Sequence, residues 1–359
     1  GVVGAFLMGT YLLPMTNYHV AMLVALSANM VIALLLFAHA KPHLVHLSMA
    51  VACVTIIAVG LPSQPDELLR VSSLKGFRRT GELVFVRTGR SATVTMHNDA
   101  GTFLVSTNGL REAGALPKGS LIVCDSTDHW LGVLPALLSP TAKTMLVVGF
   151  GGGVAPAYAP QSIRKIDVFE LEEGVIEANR LVARERERDP LSDPRINVIL
   201  NDGRSGLALT GKAYDIIVSQ PSHPWTAGAS HLYTQEFAEI TREHLTEQGV
   251  FVLWMDCQFI DAQGFRSLGA TLGEVFPQVS LFRPKRSTLC FVGSRTSLEL
   301  PVEPVVPSSH KDRSVFQQMG VDTPTALMAA RSLDDASMRR MCEGAKLTTD
   351  NNNLLALRR

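Results

Sequence analysis

The apolar positions of this chain change period twice. Up to about residue 62 they run almost without a break, from about 80 to 115 they alternate with polar ones, and from 121 onward they form short runs separated by helically spaced stretches. In the first region, His19–Ala40 and Pro42–Leu61 each have the length of a bilayer-crossing helix, about 20 residues for a hydrocarbon core of roughly 30 Å. Gly1–Pro14 is equally apolar but shorter. It has neither a basic leading region nor a small-residue cleavage site, so it reads as a truncated span rather than a signal peptide. Three membrane spans are expected in residues 1–62, with a buried hairpin as the alternative. A polar linker over 63–79 follows.

The alternating region contains Leu83–Arg87, Ala92–His97 and Thr102–Ser106, followed by the turn signal Asn108-Gly109. Period-two patterning with such a turn predicts antiparallel strands, here a small β subdomain over 80–115. Beyond it, apolar runs at Met145–Val148, Lys165–Glu170, Asn197–Leu200, Asp215–Ser219 and Val250–Trp254 are separated by helical patterns. The helices expected are Glu172–Glu187, Thr234–Leu245 and Asp261–Val275. Strands alternating with helices imply an α/β fold, a mainly parallel sheet covered on both faces, over residues 116–300. Val279–Phe282 and Thr288–Val292 are close enough in sequence to close it with an antiparallel edge. The tail, 301–359, predicts one helix near Pro324–Arg331.

Charge sharpens the division. Of 33 basic and 33 acidic residues, residues 1–65 hold only Lys41, and the overall balance offers nothing for a nucleic acid to bind. Arg70, Lys75, Arg78 and Arg79 follow the last expected span, which by the positive-inside rule places the large domain in the cytoplasm and the chain in the membrane, with lipid as a partner. The five cysteines, at 53, 124, 257, 290 and 342, have neither disulfide-framework nor zinc-ligand spacing, so no metal is expected.

The chemistry concentrates at four strand ends. The first carries Gly149-x-Gly151-x-Gly153, a turn that lets backbone approach a ligand closely. About 20 residues on, the second ends in Glu170, placed to accept both ribose hydroxyl hydrogens; Glu172 suits a helix cap. The third ends in Asp202-Gly203, where an acid can accept from an exocyclic adenine amine, or simply form an Asx turn. The fourth ends in Ser219-Gln220-Pro221-Ser222-His223-Pro224-Trp225 and faces the transferred group. Trp225 offers a π face to a sulfonium or ammonium, or packs on the sheet.

These motifs as a set resemble the spermidine synthase (polyamine aminopropyltransferase) family over residues 84–283. His129-Trp-Leu-Gly-Val-Leu-Pro135, Leu232-Tyr233-Thr-Gln-Glu236-Phe and Gly249-Val-Phe-Val-Leu-Trp254 are similar to its bacterial membrane-fused branch. The resemblance implies a Rossmann-like fold of the class I methyltransferase/spermidine synthase type, preceded by transmembrane helices of a bacterial inner membrane. It also implies S-adenosylmethionine or its decarboxylated form as co-substrate, methylthioadenosine as product, a polyamine as second substrate, and the homodimer common in that family. Gly149, Gly151, Gly153, Glu170, Asp202, Gly203 and Ser219 would hold the nucleoside. Asp128, Trp225 and Glu236 would border the acceptor, with Glu112 a further acid near the cleft.

The fourth strand departs from the family. Its members carry an Asp-Ser-Ser-Asp-Pro type run there, and aligned on Asp215 the two acids fall at Gln220 and His223. An attacking alkylamine has a pKa of about 10.4 and must lose a proton. Gln220 orients but takes no proton, whereas His223, ordinarily titrating near 6.5, is a candidate base. Tyr233 can bond a substrate nitrogen or cap its helix. Aminopropyl transfer is therefore weighed against methyl transfer, cleavage or cyclisation of S-adenosylmethionine, and a non-catalytic nucleoside sensor.

Overall fold

Short strands account for the alternating stretch, and a larger sheet for the chain beyond it. The computed structural model describes residues 2–16, 18–40, 51–52, 55, 60, 81–115, 117–120, 127–226, 228–303, 307 and 309–356. They divide into two compact units, one of residues 1–114 with 172–178, the other of 115–171 with 179–359.

In the first unit, β1 (Glu82–Thr88), β2 (Thr93–Asp99), β3 (Thr102–Thr107) and β4 (Leu110–Ala115) form an antiparallel sheet in sequence order. Asn108 and Gly109, at φ +47° and +81°, take the left-handed conformation that a tight hairpin between β3 and β4 demands. The Glu172 carboxylate accepts from the backbone N–H groups of Ser91 and Ala92, both at 2.9 Å, and so ties down the β1–β2 turn.

The same unit begins with α1 (Val2–Leu7), a π-helical turn over Met8–Leu12, α2 (Leu13–Met15) and α3 (Tyr18–Ala40). Among the described residues no helix is long and apolar enough to cross a membrane. This corrects the expectation of transmembrane helices and the integral-membrane localisation, inner-membrane anchor and cytoplasmic orientation built on it. The first apolar stretch leaves helical geometry at Thr16. The second expected span, Pro42–Leu61, lies outside the described residues except at 51, 52, 55 and 60, as do Lys41, the linker 63–79, Cys53 and Cys124.

The second unit is built on an eight-stranded sheet. Its strands are β5 (Thr144–Val148), β6 (Lys165–Glu170), β7 (Ile196–Leu200), β8 (Tyr214–Ser219), β9 (Leu245–Asp256), β10 (Gln278–Phe282), β11 (Thr288–Ser294) and β12 (Arg331–Leu333). The order β12-β10-β11-β9-β8-β5-β6-β7 is parallel from β9 to β7 and antiparallel across the β9, β11, β10 and β12 edge. Between strands run α4 (Thr127–Leu138), α5 (Val154–Tyr158), α6 (Glu173–Leu181, of which residues 173–178 count with the first unit), α7 (Gly203–Leu209), α8 (Gln235–Glu243) and α9 (Ala262–Val275). Central strands buried on both faces explain the near-continuous apolar runs; β11 is buried along its whole length.

Two acids secure the amino ends of the strands. Asp215 accepts from the N–H groups of Lys143 and Thr144 at 2.8 and 3.0 Å and from the hydroxyls of Thr144 and Thr246, both at 3.0 Å. Asp167 accepts from Lys212 at 2.6 Å and from the Tyr214 hydroxyl at 2.9 Å. Hydrogen bonds hold both carboxyls below the ordinary range against the opposing effect of burial, the largest single influence on each. The stretch after Pro301 is more structured than its composition suggests. It forms α10 (His310–Met319), α11 (Pro324–Ala330) and α12 (Asp335–Cys342), and contributes β12 to the sheet edge beside β10.

Candidate active site

In an open α/β sheet the carboxyl ends of the strands receive ligands where the strand order reverses. Here that point is the end of β5, flanked by β6 on one side and β8 on the other. Val148 is in register with Phe169 and Ser219, and Glu170 with Leu200, so the four strand ends fall on one edge. Hydrogen bonds from Gly149 N to Phe169 O (2.9 Å), Asn201 N to Glu170 O (2.9 Å) and Gln220 N to Val148 O (3.1 Å) extend the pairing one residue into each loop.

The loop after β5 needs its glycines. Gly149, Gly151 and Gly153 have φ of +92°, +54° and +67°. A Cβ on Gly153 would also stand 2.7 Å from the Phe150 ring and 2.5 Å from Pro190. Glu170, 7% exposed, accepts from the N–H of Phe150 at 2.9 Å, so the expected ribose ligand also braces the glycine loop. Asp202 caps α7, its side chain accepting from Ser205 N at 2.8 Å. This is the Asx-type role weighed against adenine binding, and it leaves the second carboxylate oxygen outside that bond. Gly203 lies against the end of β5, where a Cβ would meet Val148 Cγ1 at 2.4 Å.

The edge beyond β8 has a different character. The Gln220 amide donates to the Gly149 carbonyl at 2.7 Å, so the residue in place of an acid fastens the glycine loop. His223 is buried beside aromatic rings, 4.3 Å from Phe259 and 5.2 Å from Trp225 between centroids, and Trp254 lies 6.1 Å from Phe259. Burial pushes the His223 imidazole down to about 4, so it is neutral at physiological pH and a weak proton acceptor. Ser219 is fully buried, and its hydroxyl has no hydrogen-bond partner among the described residues. Tyr233, 2% exposed, donates its hydroxyl to the Ser222 carbonyl at 3.0 Å and thereby holds the backbone beside His223.

Two of the acids expected around the acceptor, Glu236 and Glu112, hydrogen-bond to neighbouring protein groups. Glu236 accepts from Asp350 N at 3.0 Å. Asp350 also receives both Arg204 nitrogens at 2.6 Å and the Thr234 hydroxyl at 2.9 Å. Those bonds, Arg204 foremost, hold its carboxyl down at about 2. Glu236 thus anchors the C-terminal segment. Asp128 lies in the first turn of α4, next to Thr127, whose hydroxyl meets that of Thr288 at 2.7 Å; Thr288 pairs with Asp256 at the end of β9. Glu112 lies in the first unit, bonded to the Thr107 hydroxyl.

Sequence reasoning missed Asn179 and Arg186, which grip the glycine loop from below, and Phe259, which completes the aromatic cluster. Arg186 sits in an Arg-Glu-Arg-Glu-Arg run that reads as a solvated face, although it is 4% exposed.

A glycine loop, an acid on the next strand and an acid on the third stand at the switch point of a parallel sheet, in an α/β fold of the Rossmann-like class. The spermine/spermidine synthase domain matches residues 126–284 of the chain. A polyamine aminopropyltransferase of Saccharolobus solfataricus is 31% identical over 157 residues, 42% of this chain and 52% of the relative. One from Thermotoga petrophila is 26% identical over 154 residues, again 42% and 52%. The chain therefore spans about half the length of the curated relatives it matches. A crystal structure of spermidine synthase in complex with the transition-state analogue AdoDATO superposes with a TM-score of 0.57 at 18% identity, covering 73% of this chain and 88% of that one, and it shares the fold.

Proposed function

We propose that the chain is a spermidine synthase-like transferase of alkyl groups other than methyl. It binds decarboxylated S-adenosylmethionine or a close sulfonium nucleoside and releases methylthioadenosine. The observation that carries this reading is the convergence of the Gly149–Gly153 loop, Glu170 and Asp202 on adjacent strand ends, with Glu170 hydrogen-bonded to the loop itself. Glu170 would accept from the ribose hydroxyls and the free oxygen of Asp202 from the adenine amine. An amine lone pair would attack the carbon attached to the sulfonium. The carbon–sulfur bond breaks, its electron pair stays on sulfur to give a neutral thioether, and the nitrogen sheds a proton. The family and the aminopropyltransferase relatives support a polyamine as the acceptor.

One observation favours a second reading of the same ligand. Gln220 is engaged by the glycine loop and His223 is buried and neutral, so neither neutralises a diamine dication. Intramolecular attack within S-adenosylmethionine, or methyl transfer, would not require that. Product analysis with decarboxylated and ordinary S-adenosylmethionine, each with and without putrescine, tests both readings. Putrescine-dependent methylthioadenosine supports aminopropyl transfer. Methylthioadenosine from S-adenosylmethionine alone supports cleavage, and S-adenosylhomocysteine supports methyl transfer. No product together with no binding of methylthioadenosine in calorimetry would sink both.

A further inference from the structure

Behind the glycine loop lies a guanidinium that none of the strand-end motifs announces. Arg186 is 4% exposed, donating to Asn179 Oδ1 at 2.8 Å and to the Gly152 carbonyl at 2.6 Å. Asn179, fully buried, donates in turn to the Gly151 carbonyl at 2.9 Å. Gln220 donates to the Gly149 carbonyl at 2.7 Å. Three carbonyls of the loop are thus drawn to protein side chains. Its N–H groups divide differently: Phe150 donates to Glu170 and Gly153 to Phe150 O, while Gly151 and Gly152 donate to no described residue.

A buried guanidinium is expensive, because leaving water penalises the charged form. Desolvation brings Arg186 down to about 10, still cationic at neutral pH, and no carboxylate among the described residues forms an ion pair with it. An apolar chain of similar length would fill the same space without that penalty, but it could not grip the Gly152 carbonyl and orient Asn179 at once. Both of these Arg186 bonds serve the loop. They orient a flexible four-glycine segment so that its unengaged N–H groups are left for a ligand.

We propose that Arg186 is a positioning residue of the nucleoside site, acting through Asn179 and the Gly152 carbonyl to hold the Gly151 and Gly152 N–H groups toward the bound nucleoside. The proposal rests on the nucleoside reading above.

Methylthioadenosine titrated calorimetrically into wild type, Arg186→Lys and Arg186→Met, alongside thermal unfolding without ligand, tests it. Arg186→Met is expected to weaken binding about 10- to 100-fold, the loss of one or two buried hydrogen bonds to a charged donor. Arg186→Lys should recover part of it, since an ammonium reaches the Gly152 carbonyl but lacks the fork that also orients Asn179. With an active enzyme, KM for the sulfonium nucleoside should rise more than kcat falls. If Arg186→Met does not fold, Asn179→Ala removes the Gly151 tie and should weaken binding in the same way. Wild-type affinity in the variant that folds, even with a lowered unfolding midpoint, would overturn the proposal and leave Arg186 a stability residue. Absence of binding by wild type would instead overturn the nucleoside reading on which it stands.

Discussion

The two halves of the sheet's carboxyl edge are built for different tasks. Over β5, β6 and β7 the strand ends carry acids and a glycine loop tied to neighbouring side chains, with Glu170 on Phe150 N and Asn179 and Arg186 on the loop carbonyls. Over β8 and β9 they carry rings: His223 and Trp225 both pack on Phe259 and on each other, and Trp254 meets Phe259 edge-on. In the function proposed, the first half holds an uncharged sugar and base, and the second is apolar where a diamine would need negative charge. On that reading, holding the nucleoside and choosing its acceptor are separable properties of one edge.

Acid should cost stability through two buried histidines, His223 in the aromatic half and His129 against Tyr158. His223 and His129 are both lowered to about 4 by burial, with Arg188 adding to the effect at His129. As pH falls the unfolded chain takes up these protons first. Stability is therefore full above about 6.5, declines between about 6.5 and 4, and changes no further below that on their account. Each histidine accounts for up to about 3 kcal/mol. Denaturant unfolding at pH 7 and pH 4 should show the loss, and His223→Phe should reduce it. An equal loss in that variant would place the proton uptake elsewhere.

Glu170→Ala comes next, now on the nucleoside half. It removes the expected ribose acceptor and the Phe150 brace together, and should weaken methylthioadenosine about 100-fold, close to 3 kcal/mol, in calorimetry. Unchanged affinity would break the assignment of that half. Gln220→Asp tests whether the family's acid can simply be restored. A carboxylate cannot donate to the Gly149 carbonyl 2.7 Å away, so the variant should lose about 2 kcal/mol of stability and bind the nucleoside more weakly rather than gain putrescine turnover. Tyr233→Phe is the mildest change. Without the hydroxyl bond to Ser222 O the loop loosens, for about 1 kcal/mol in unfolding and a fall in turnover larger than any change in nucleoside affinity.

Much of the sheet is legible in the chain alone. Lys165–Glu170 and the four-residue run Met145–Val148 are strands, and Asn108-Gly109 forms its hairpin, because strand pattern and turn chemistry act over a few residues. The helix read over Glu172–Glu187 ends earlier, at Leu181, since the following Arg and Glu residues are drawn away from helical spacing toward the glycine loop and the Pro117–Ser120 segment. Glu236 looks like a substrate acid because its position in the motif is local information. Its partner, Asp350, is 114 residues away and invisible to pattern. The apolar opening misleads for the opposite reason: hydropathy reports composition, while spanning requires one sufficiently long apolar helix, which the described residues do not contain.

By itself the sequence determined the order of strands and loops, the glycine positions that require left-handed backbone, and the similarity of residues 126–284 to the spermine/spermidine synthase domain. All three rest on short-range periodicity and on motifs whose spacing a strand-loop-helix unit enforces. Only the tertiary structure decided that His223 is neutral, that Gln220 serves the glycine loop, and that a charged-looking arginine lies buried beneath it. Burial and hydrogen-bond partnership are properties of what packs alongside, and those neighbours are brought together by a sheet whose adjacent strands are distant in the chain.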